Sequence, residues 1–195
     1  DSSLVNYWPI NKGSAKDLIN SAHLTSASPI WTNDRMNNQL NAFRIKSASS
    51  YFNAPNGIYF QGSFSVLTWL KIYNCSGLSQ RVFDFGNGQD SDNIIFSYTS
   101  SRNCRPHYLI VKNNIFNNDY KIISNYVLPT NVWIHLAILY EFSSRNGTVY
   151  VNGIKRMEGA LLELNSVQRT KCYFGKSNWP GDDVSRFLIY NLDIN

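Results

Sequence analysis

Hydrophobic and polar residues alternate with a period of two along much of the chain. The clearest case is SFSVLTWLKI, residues 63–72, in which Phe64, Val66, Leu70 and Ile72 share one face of an extended segment. Such alternation is typical of a β-strand with one buried face. The pattern therefore predicts a protein built mainly from β-strands, with further candidates at residues 4–9, 42–48, 81–86, 94–100, 107–112, 121–127, 133–142, 147–156, 172–176 and 185–192.

The candidate strands are separated by loops rich in Asn, Asp, Gly, Ser and Pro, such as GNGQDSDN, SSRNCRP and SNWPGDD. Within residues 147–156, Asn152 and Gly153 form the pair preferred in two-residue type I′ hairpins. Many short strands at this spacing predict an antiparallel sandwich or barrel. Because no internal repeat and no linker composition interrupts the pattern, we expect a single domain over residues 1–195.

Residues 133–142, WIHLAILYEF, are apolar on both faces. This composition predicts a central strand that is covered on both sides. His135 shares a face with Trp133, Ala137 and Leu139. The chain has no i,i+4 histidine pair and no G-x-S-x-G motif, so we expect His135 to be a packed, structural core residue and not a catalytic one.

Composition and charge exclude several classes of function. Aromatic residues make up 14% of the chain and charged residues only 16%, which argues against disorder. The net charge is +5, but the 18 Lys and Arg residues are scattered and accompany no nucleic-acid-binding motif. We therefore expect no nucleic-acid partner. The charge is best interpreted as a solvated basic surface, and sulfated or acidic glycans suit it better than nucleic acid does. No apolar run approaches the ~20 residues that span a bilayer, so we expect no direct membrane insertion.

Cysteines and sequons favour an extracellular or cell-surface glycoprotein. Asn74 in NCS and Asn146 in NGT are glycosylation acceptors, and both fall in predicted loops. Cys75 and Cys104 follow predicted strands of the same direction, so we expect them to form a disulfide, whereas Cys172 is expected to be buried. The chain begins DSSLVNYWP, which leads us to expect part of a larger secreted or membrane-anchored protein.

An ordered set of segments carries a family resemblance. These segments, which run from about residue 4 to residue 192, are LVNYWPIN, FSVLTWLKI, RVFDFGNGQDSDNIIF, NVWIHLAILYE, TVYVNGIK, KCYFGKSNW and FLIYNLDI. The chain resembles laminin-G-like, concanavalin A-like jelly-roll domains of the pentraxin-related kind. The resemblance implies an all-β, antiparallel two-sheet jelly-roll sandwich of the concanavalin A-like lectin/glucanase type. It also implies an extracellular module that binds carbohydrate or protein partners, often with calcium at a loop rim.

The same fold also hosts glycoside hydrolases and lyases, so activity has to be judged from the site. Glycoside hydrolysis needs two carboxylates that face each other across the scissile bond. In the hydrolases that share the fold implied by the resemblance, one strand presents them as Glu-x-Asp-x-(x)-Glu. The three glutamates of this chain, Glu141, Glu158 and Glu163, do not lie in such a pattern. We therefore expect that the protein is not an enzyme.

The loop DFGNGQDSDN, residues 84–93, is the best candidate for a calcium site. Asp90, Asp92 and Asn93, together with loop carbonyls, offer the hard oxygen ligands that calcium requires. The sequence departs from an EF-hand, because Ile94 occupies the third ligand position. The alternative is an Asp/Asn turn whose side chains hydrogen-bond to their own backbone.

The loop KSNWPGDD, residues 176–183, is the candidate ligand-binding site. Trp179 offers an aromatic face for a sugar ring, and Asn178, Asp182 and Asp183 offer acceptors for its hydroxyls. The two aspartates are also suitable calcium ligands. The alternative is that Trp179 caps the edge of the sandwich as part of the core.

The sequence thus predicts a non-catalytic extracellular binding or adhesion module. Its partner would be a carbohydrate or an extracellular glycoprotein, recognised through rim loops with calcium as a cofactor. The first alternative is a protein–protein adhesion or assembly domain without glycan binding, and the second is a carbohydrate-active enzyme.

Overall fold

The computed structural model of the chain describes residues 4–112 and 120–195, and these contain fourteen β-strands and no α-helix. The strands are β1 (Asn6–Trp8), β2 (Trp31–Thr32), β3 (Ala42–Ile45), β4 (Phe52–Ala54), β5 (Phe64–Ile72), β6 (Arg81–Gly86), β7 (Ile94–Ser97), β8 (His107–Ile110), β9 (Lys121–Ile123), β10 (Trp133–Glu141), β11 (Asn146–Val151), β12 (Ile154–Ala160), β13 (Lys171–Phe174) and β14 (Phe187–Ile194).

The strands form two antiparallel sheets. The eight-stranded sheet has the order β12-β11-β10-β5-β14-β3-β2, and β1 also pairs with β14. The six-stranded sheet has the order β4-β13-β6-β7-β8-β9. Among the described residues, no helix is long and apolar enough to cross a membrane.

One hydrophobic core lies between the sheets. Along β5 every second residue is buried, because a strand directs successive side chains to opposite faces. Aromatic rings dominate the packing, and Phe85 contacts Phe60 and Phe174 with ring centroids 5.5 and 5.0 Å apart. Trp8 is fully buried and packs on Phe174. This two-sheet arrangement confirms the predicted jelly-roll sandwich.

The prediction that β10 is covered on both faces is wrong. Ile134, Leu136, Ile138 and Tyr140 face the core, whereas the alternate residues on the outer face are only half-buried. His135 lies on that outer face, where its ring contacts Trp69 of β5 edge-on at 5.2 Å. His135 is therefore a half-buried surface residue and not a core residue. On this outer face the contact between His135 and Trp69 covers part of both rings.

The strand boundaries also depart from the sequence pattern in places. The pattern missed β2 and β4, which have two and three residues and are too short to show a period. Residues 147–156 divide into β11 and β12 at the predicted Asn152–Gly153 hairpin, where both residues have positive φ, 51° and 77°. Asn146 lies within β11 and pairs on both sides, so its expected position in a loop is wrong.

Candidate functional site

The loop of residues 175–184 follows β13 and packs over the outer face of the six-stranded sheet. Alternation along β7 and β8 directs Ile95 and Leu109 away from the core, and these residues form a small apolar cluster with Val111. Trp179 packs against this cluster. The tryptophan therefore covers part of the outer face of the sheet, where all residues of β7 and β8 are buried.

Asp84 in β6 anchors the loop to the sheet. Its carboxylate accepts hydrogen bonds from the backbone N–H of Asn178 at 2.9 Å, from the Asn178 Nδ2 at 2.8 Å and from the Asn93 Nδ2 at 2.9 Å. Asp84 is fully buried, and burial raises its pKa against the opposing effects of Arg81 and these hydrogen bonds. Asn178, predicted as a sugar ligand, thus uses its amide group to hold the loop in place.

Arg81, also in β6, makes the second attachment. Its Nη2 donates to Asp182 Oδ2 at 2.6 Å, and its Nε donates to the Ser177 hydroxyl at 3.2 Å. The Ser177 hydroxyl in turn donates to Asp182 Oδ2 at 2.6 Å. The guanidinium carbon lies 5.2 Å from the centre of the Trp179 ring. One buried arginine therefore fixes the positions of both the predicted aromatic residue and a predicted acidic residue.

His107, the first residue of β8, lies beside Arg81. Arg81 Nη1 is 3.1 Å from His107 Nε2, and because a guanidinium only donates, Nε2 is the acceptor. The imidazole is then neutral with its proton on Nδ1. Burial, followed by repulsion from Arg81 and Lys121, lowers the pKa of His107 well below its usual value, which agrees with a neutral ring. His107 Nδ1 has no hydrogen-bond partner among the described residues.

A cavity of about 160 Å³ opens between Trp179 and the sheet. Polar side chains of Arg81, His107, Lys121 and Asp182 line it together with the apolar Leu109 and Trp179. We refer to it as the Trp179 cavity. Lys121 comes from β9 and Ile95 from β7, so four neighbouring strands, β6 to β9, and the 175–184 loop contribute to the cavity.

A second cavity, of about 170 Å³, lies along the same loop and shares Trp179 and Asp182 with the first. Tyr51, Lys176 and Asp183 also line it. The Lys176 ammonium donates to the Tyr51 hydroxyl at 3.2 Å and sits 4.3 Å from the Tyr51 ring centre. Asp183 accepts a hydrogen bond from the backbone N–H of Leu78 at 2.7 Å through Oδ2. The loop thus separates two cavities.

The predicted calcium ligands each contact a different neighbour. Asn93 is fully buried, and its amide spans Asp84 Oδ1 and the backbone N–H of Ser91. Asp92 Oδ1 accepts from Asn165 Nδ2 at 2.7 Å, and Asp90 Oδ2 accepts from Gln89 at 3.2 Å. No group of three or more His, Cys, Asp or Glu residues suited to a metal occurs in residues 4–112 and 120–195. Calcium at this turn stays a prediction.

The remaining predicted sites lie apart from the loop. Cys75 and Cys104 are joined by a disulfide, and Cys172 is free and buried. Asn74 is exposed in the loop after β5, where its Oδ1 accepts from Ser76. Asn146 Nδ2 donates to Glu158 at 3.0 Å, so its amide is engaged within the sheet. Glycosylation at either position stays a prediction.

The sequence pattern did not single out Arg81, His107 and Lys121, which line the Trp179 cavity, or Asp84, which anchors its loop. A signal was present for Arg81 and Asp84. The segment RVFDFG, residues 81–86, places two charged residues in an otherwise apolar strand, and charges in such positions are stable only when paired. His107 and Lys121 gave no comparable signal, because each stands at the start of its strand.

Comparison with solved structures supports the fold. Domain 4 of AbnA, an extracellular arabinanase from Geobacillus stearothermophilus solved with arabinotriose, matches with a TM-score of 0.71 at 15% identity, over 98% of this chain and 91% of that chain. The botulinum neurotoxin serotype D ligand-binding domain, solved with N-acetylneuraminic acid, matches with a TM-score of 0.71 at 17% identity, over 99% of this chain and 47% of that chain. Trypanosoma rangeli sialidase, solved with sialic acid, matches with a TM-score of 0.70 at 12% identity, over 100% of this chain and 31% of that chain.

This chain therefore spans about half of the toxin domain and about a third of the sialidase. At these identities the matches establish a shared fold. Comparison of the sequence with curated proteins finds no match. The profile of a laminin-G-like family, described as the concanavalin A-like lectin/glucanases superfamily, matches residues 46–194. Because this match covers more than half of the chain, the protein belongs to the concanavalin A-like lectin/glucanase superfamily.

Proposed function

We propose that this protein is a non-catalytic carbohydrate-binding module that holds a sugar at the 175–184 loop. The observation that carries the proposal is the placement of Trp179, which is half-buried between two cavities and fixed by Arg81. A held aromatic ring offers a sugar its apolar face at little entropic cost. Asp182 lines both cavities and supplies an acceptor for hydroxyl groups.

The comparisons support a sugar as the ligand. The three matched structures were solved with arabinotriose, N-acetylneuraminic acid and sialic acid. The position of the sugar in this chain is inferred from the 175–184 loop. The disulfide between Cys75 and Cys104 and the sequon at Asn74 support an extracellular or cell-surface role. The natural partner would then be a free glycan or the glycan of a glycoprotein.

The arrangement of carboxylates supports a binding role over hydrolysis. Asp84 is fully buried and accepts three hydrogen bonds, so it does not face a ligand. In the Trp179 cavity the one lining carboxylate is Asp182, which is already engaged by Arg81 and Ser177. In the second cavity Asp183 also lines the wall, and its Oδ2 accepts from the backbone N–H of Leu78. A glycosidase needs two available carboxylates across the bond to be cleaved.

The test is binding to a glycan panel, followed by titration of the best ligand against two tryptophan variants. We expect Trp179→Ala to weaken binding at least tenfold. The control is Trp133→Ala, which removes another half-buried tryptophan from the opposite sheet and should leave binding unchanged. Absence of binding to any glycan, with and without calcium, would overturn the proposal. Product analysis on the same panel tests for hydrolysis.

Calcium is part of the proposal as a rim cofactor at Asp90 and Asp92. Its test is the same titration after chelation, together with Asp92→Asn. Loss of affinity in both would support calcium, whereas unchanged affinity in both would remove calcium from the proposal and leave sugar binding in place.

Protein–protein adhesion is the second candidate, and one surface favours it. The outer face of the eight-stranded sheet carries Trp69, Trp133 and His135, all half-buried. An apolar sheet face of this kind suits a protein partner. If glycans fail to bind, a loss of cell adhesion in Trp69→Ala would favour this function.

A further inference from the structure

We propose that the Trp179 cavity is a subsite for the anionic group of an acidic sugar, a carboxylate or a sulfate ester. This inference rests on the proposed carbohydrate-binding function and specifies its ligand. The cavity presents two hydrogen-bond donors, from His107 and Lys121, which have no acceptor in the described parts of the chain.

The first donor is the Nδ1–H of His107. The contact with Arg81 assigns Nε2 as the acceptor and leaves the proton on Nδ1. His107 lines the cavity and is 3% exposed, and its Nδ1–H has no acceptor among the described residues. A buried donor without an acceptor is unfavourable, and native proteins rarely leave one unsatisfied without a functional reason. A ligand oxygen placed in the cavity would satisfy it.

The second donor is the ammonium group of Lys121. It is half-buried and forms no ion pair with the described residues. Burial, followed by repulsion from Arg81, lowers its pKa, because both disfavour the charged form.

Arg81 and Asp182 neutralise each other through their 2.6 Å contact. Arg81 also lies 3.6 Å from the carboxylate of Asp84, which is fully buried and does not line the cavity. Among the lining residues, Lys121 is therefore the charged side chain that forms no ion pair. An anionic group would compensate this charge and accept from both donors at once. A neutral hydroxyl would accept a hydrogen bond but would not compensate the charge.

The size of the cavity and its apolar wall suit a sugar substituent. Its volume of about 160 Å³ is below the roughly 300–1,000 Å³ of pockets for drug-sized ligands, so it holds one small group or a single ring. Trp179 and Leu109 supply the apolar wall against which a ring packs. The anionic group would lie deep, at His107 and Lys121, while the rest of the glycan extends along the loop.

The test compares charged probes with their neutral counterparts. The pairs are sialyllactose and lactose, digalacturonic acid and its methyl ester, and galactose 6-sulfate and galactose. We expect at least one charged probe to bind tenfold or more tightly than its partner, and the pair that responds tells carboxylate from sulfate. Lys121→Met should reduce that preference at least fivefold. Lys71→Met, a half-buried lysine on the opposite sheet, should not change it.

A second measurement needs no variant. In the wild-type protein, the nitrogen-15 and proton resonances of the His107 ring should shift on addition of the preferred charged probe, with slower exchange of the Nδ1 proton. Equal binding of charged and neutral probes, or an unperturbed His107 ring at saturation, would overturn this inference while leaving sugar binding intact. If no probe or glycan binds, the proposed function itself fails.

Discussion

The guanidinium of Arg81 donates to the carboxylate of Asp182 at 2.6 Å, and this contact joins residues that are 101 positions apart in sequence. Arg81 is 5% exposed, whereas the Asp182 side chain is 18% exposed. The pair holds the loop of the candidate site on a sheet face that would otherwise be open. Its removal should therefore affect both folding and ligand binding.

We expect Arg81→Met to lower the free energy of unfolding by roughly 3–5 kcal/mol, the usual effect of removing one partner from a buried ion pair. It leaves the buried Asp84 and the Asp182 carboxylate without their cation. Asp182→Asn should cost less, because an amide oxygen still accepts from Arg81. Chemical denaturation measures both changes.

The control for this pair is Lys155→Gln, which breaks the exposed contact with Glu158. Surface ion pairs add little stability, so we expect no measurable change in the denaturation midpoint. A midpoint for Arg81→Met equal to that of the wild type would contradict the structural role of Arg81.

Two glycines of the same loop should respond differently to alanine. Gly175 has φ of +83°, and an added Cβ would collide with the Ile45 side chain. We expect Gly175→Ala to destabilise the protein by roughly 2–4 kcal/mol through strain and overpacking. Gly181 has open space around it, so Gly181→Ala should stay within about 0.5 kcal/mol of the wild type. Thermal unfolding of both variants distinguishes them, and equal losses would contradict this account of the turn.

Asp193 should make stability depend on pH. Burial raises its pKa from 3.8 to about 6, against opposing hydrogen bonds from Leu67 and Asn195. Between about pH 4 and pH 6 the native state then binds more protons than the unfolded state, so this group makes stability fall as pH rises. After allowance for solvent screening, the loss is roughly 1–2 kcal/mol.

The variant Asp193→Asn removes this titration and keeps an acceptor at the same position. It should be more stable than the wild type at pH 7.5 by that amount and equally stable at pH 4. Urea denaturation at both pH values measures the difference in unfolding free energy between the variant and the wild type. The titrations of all other groups cancel in this difference. A variant less stable than the wild type at pH 7.5 would show that the carboxylate is favourable there.

The two sequons should differ in occupancy. Asn74 is exposed in a loop, whereas Asn146 lies in β11 and gives an amide hydrogen to Glu158. A glycan on Asn146 would replace a hydrogen of that amide inside a paired strand. In protein from a secretory host, we therefore expect a glycan at Asn74 and little or none at Asn146, as measured by glycopeptide mass spectrometry. Loss of the glycan in Asn74→Gln but not in Asn146→Gln would support the prediction. Full occupancy at Asn146 would contradict it.

Local signals in the sequence were enough to predict most of the strands and the loop of the candidate site. Alternation in β5 and the Asn152–Gly153 pair are local signals, because side-chain direction and turn type depend on a few neighbouring residues. The loop of residues 176–183 stood out for the same reason, since Trp179 lies among turn-forming residues. These signals were sufficient to indicate a two-sheet sandwich and the position of Trp179.

The surroundings of Trp179 and the buried side of β10 depend on how the two sheets pack, which no single segment encodes. Arg81, His107 and Lys121 come from β6, β8 and β9 and share a face because the sheet orders those strands. His135 is at the surface because the second sheet packs on the opposite face of β10. Both faces of β10 are apolar in the sequence. Which of them is buried depends on contacts with residues that are distant along the chain.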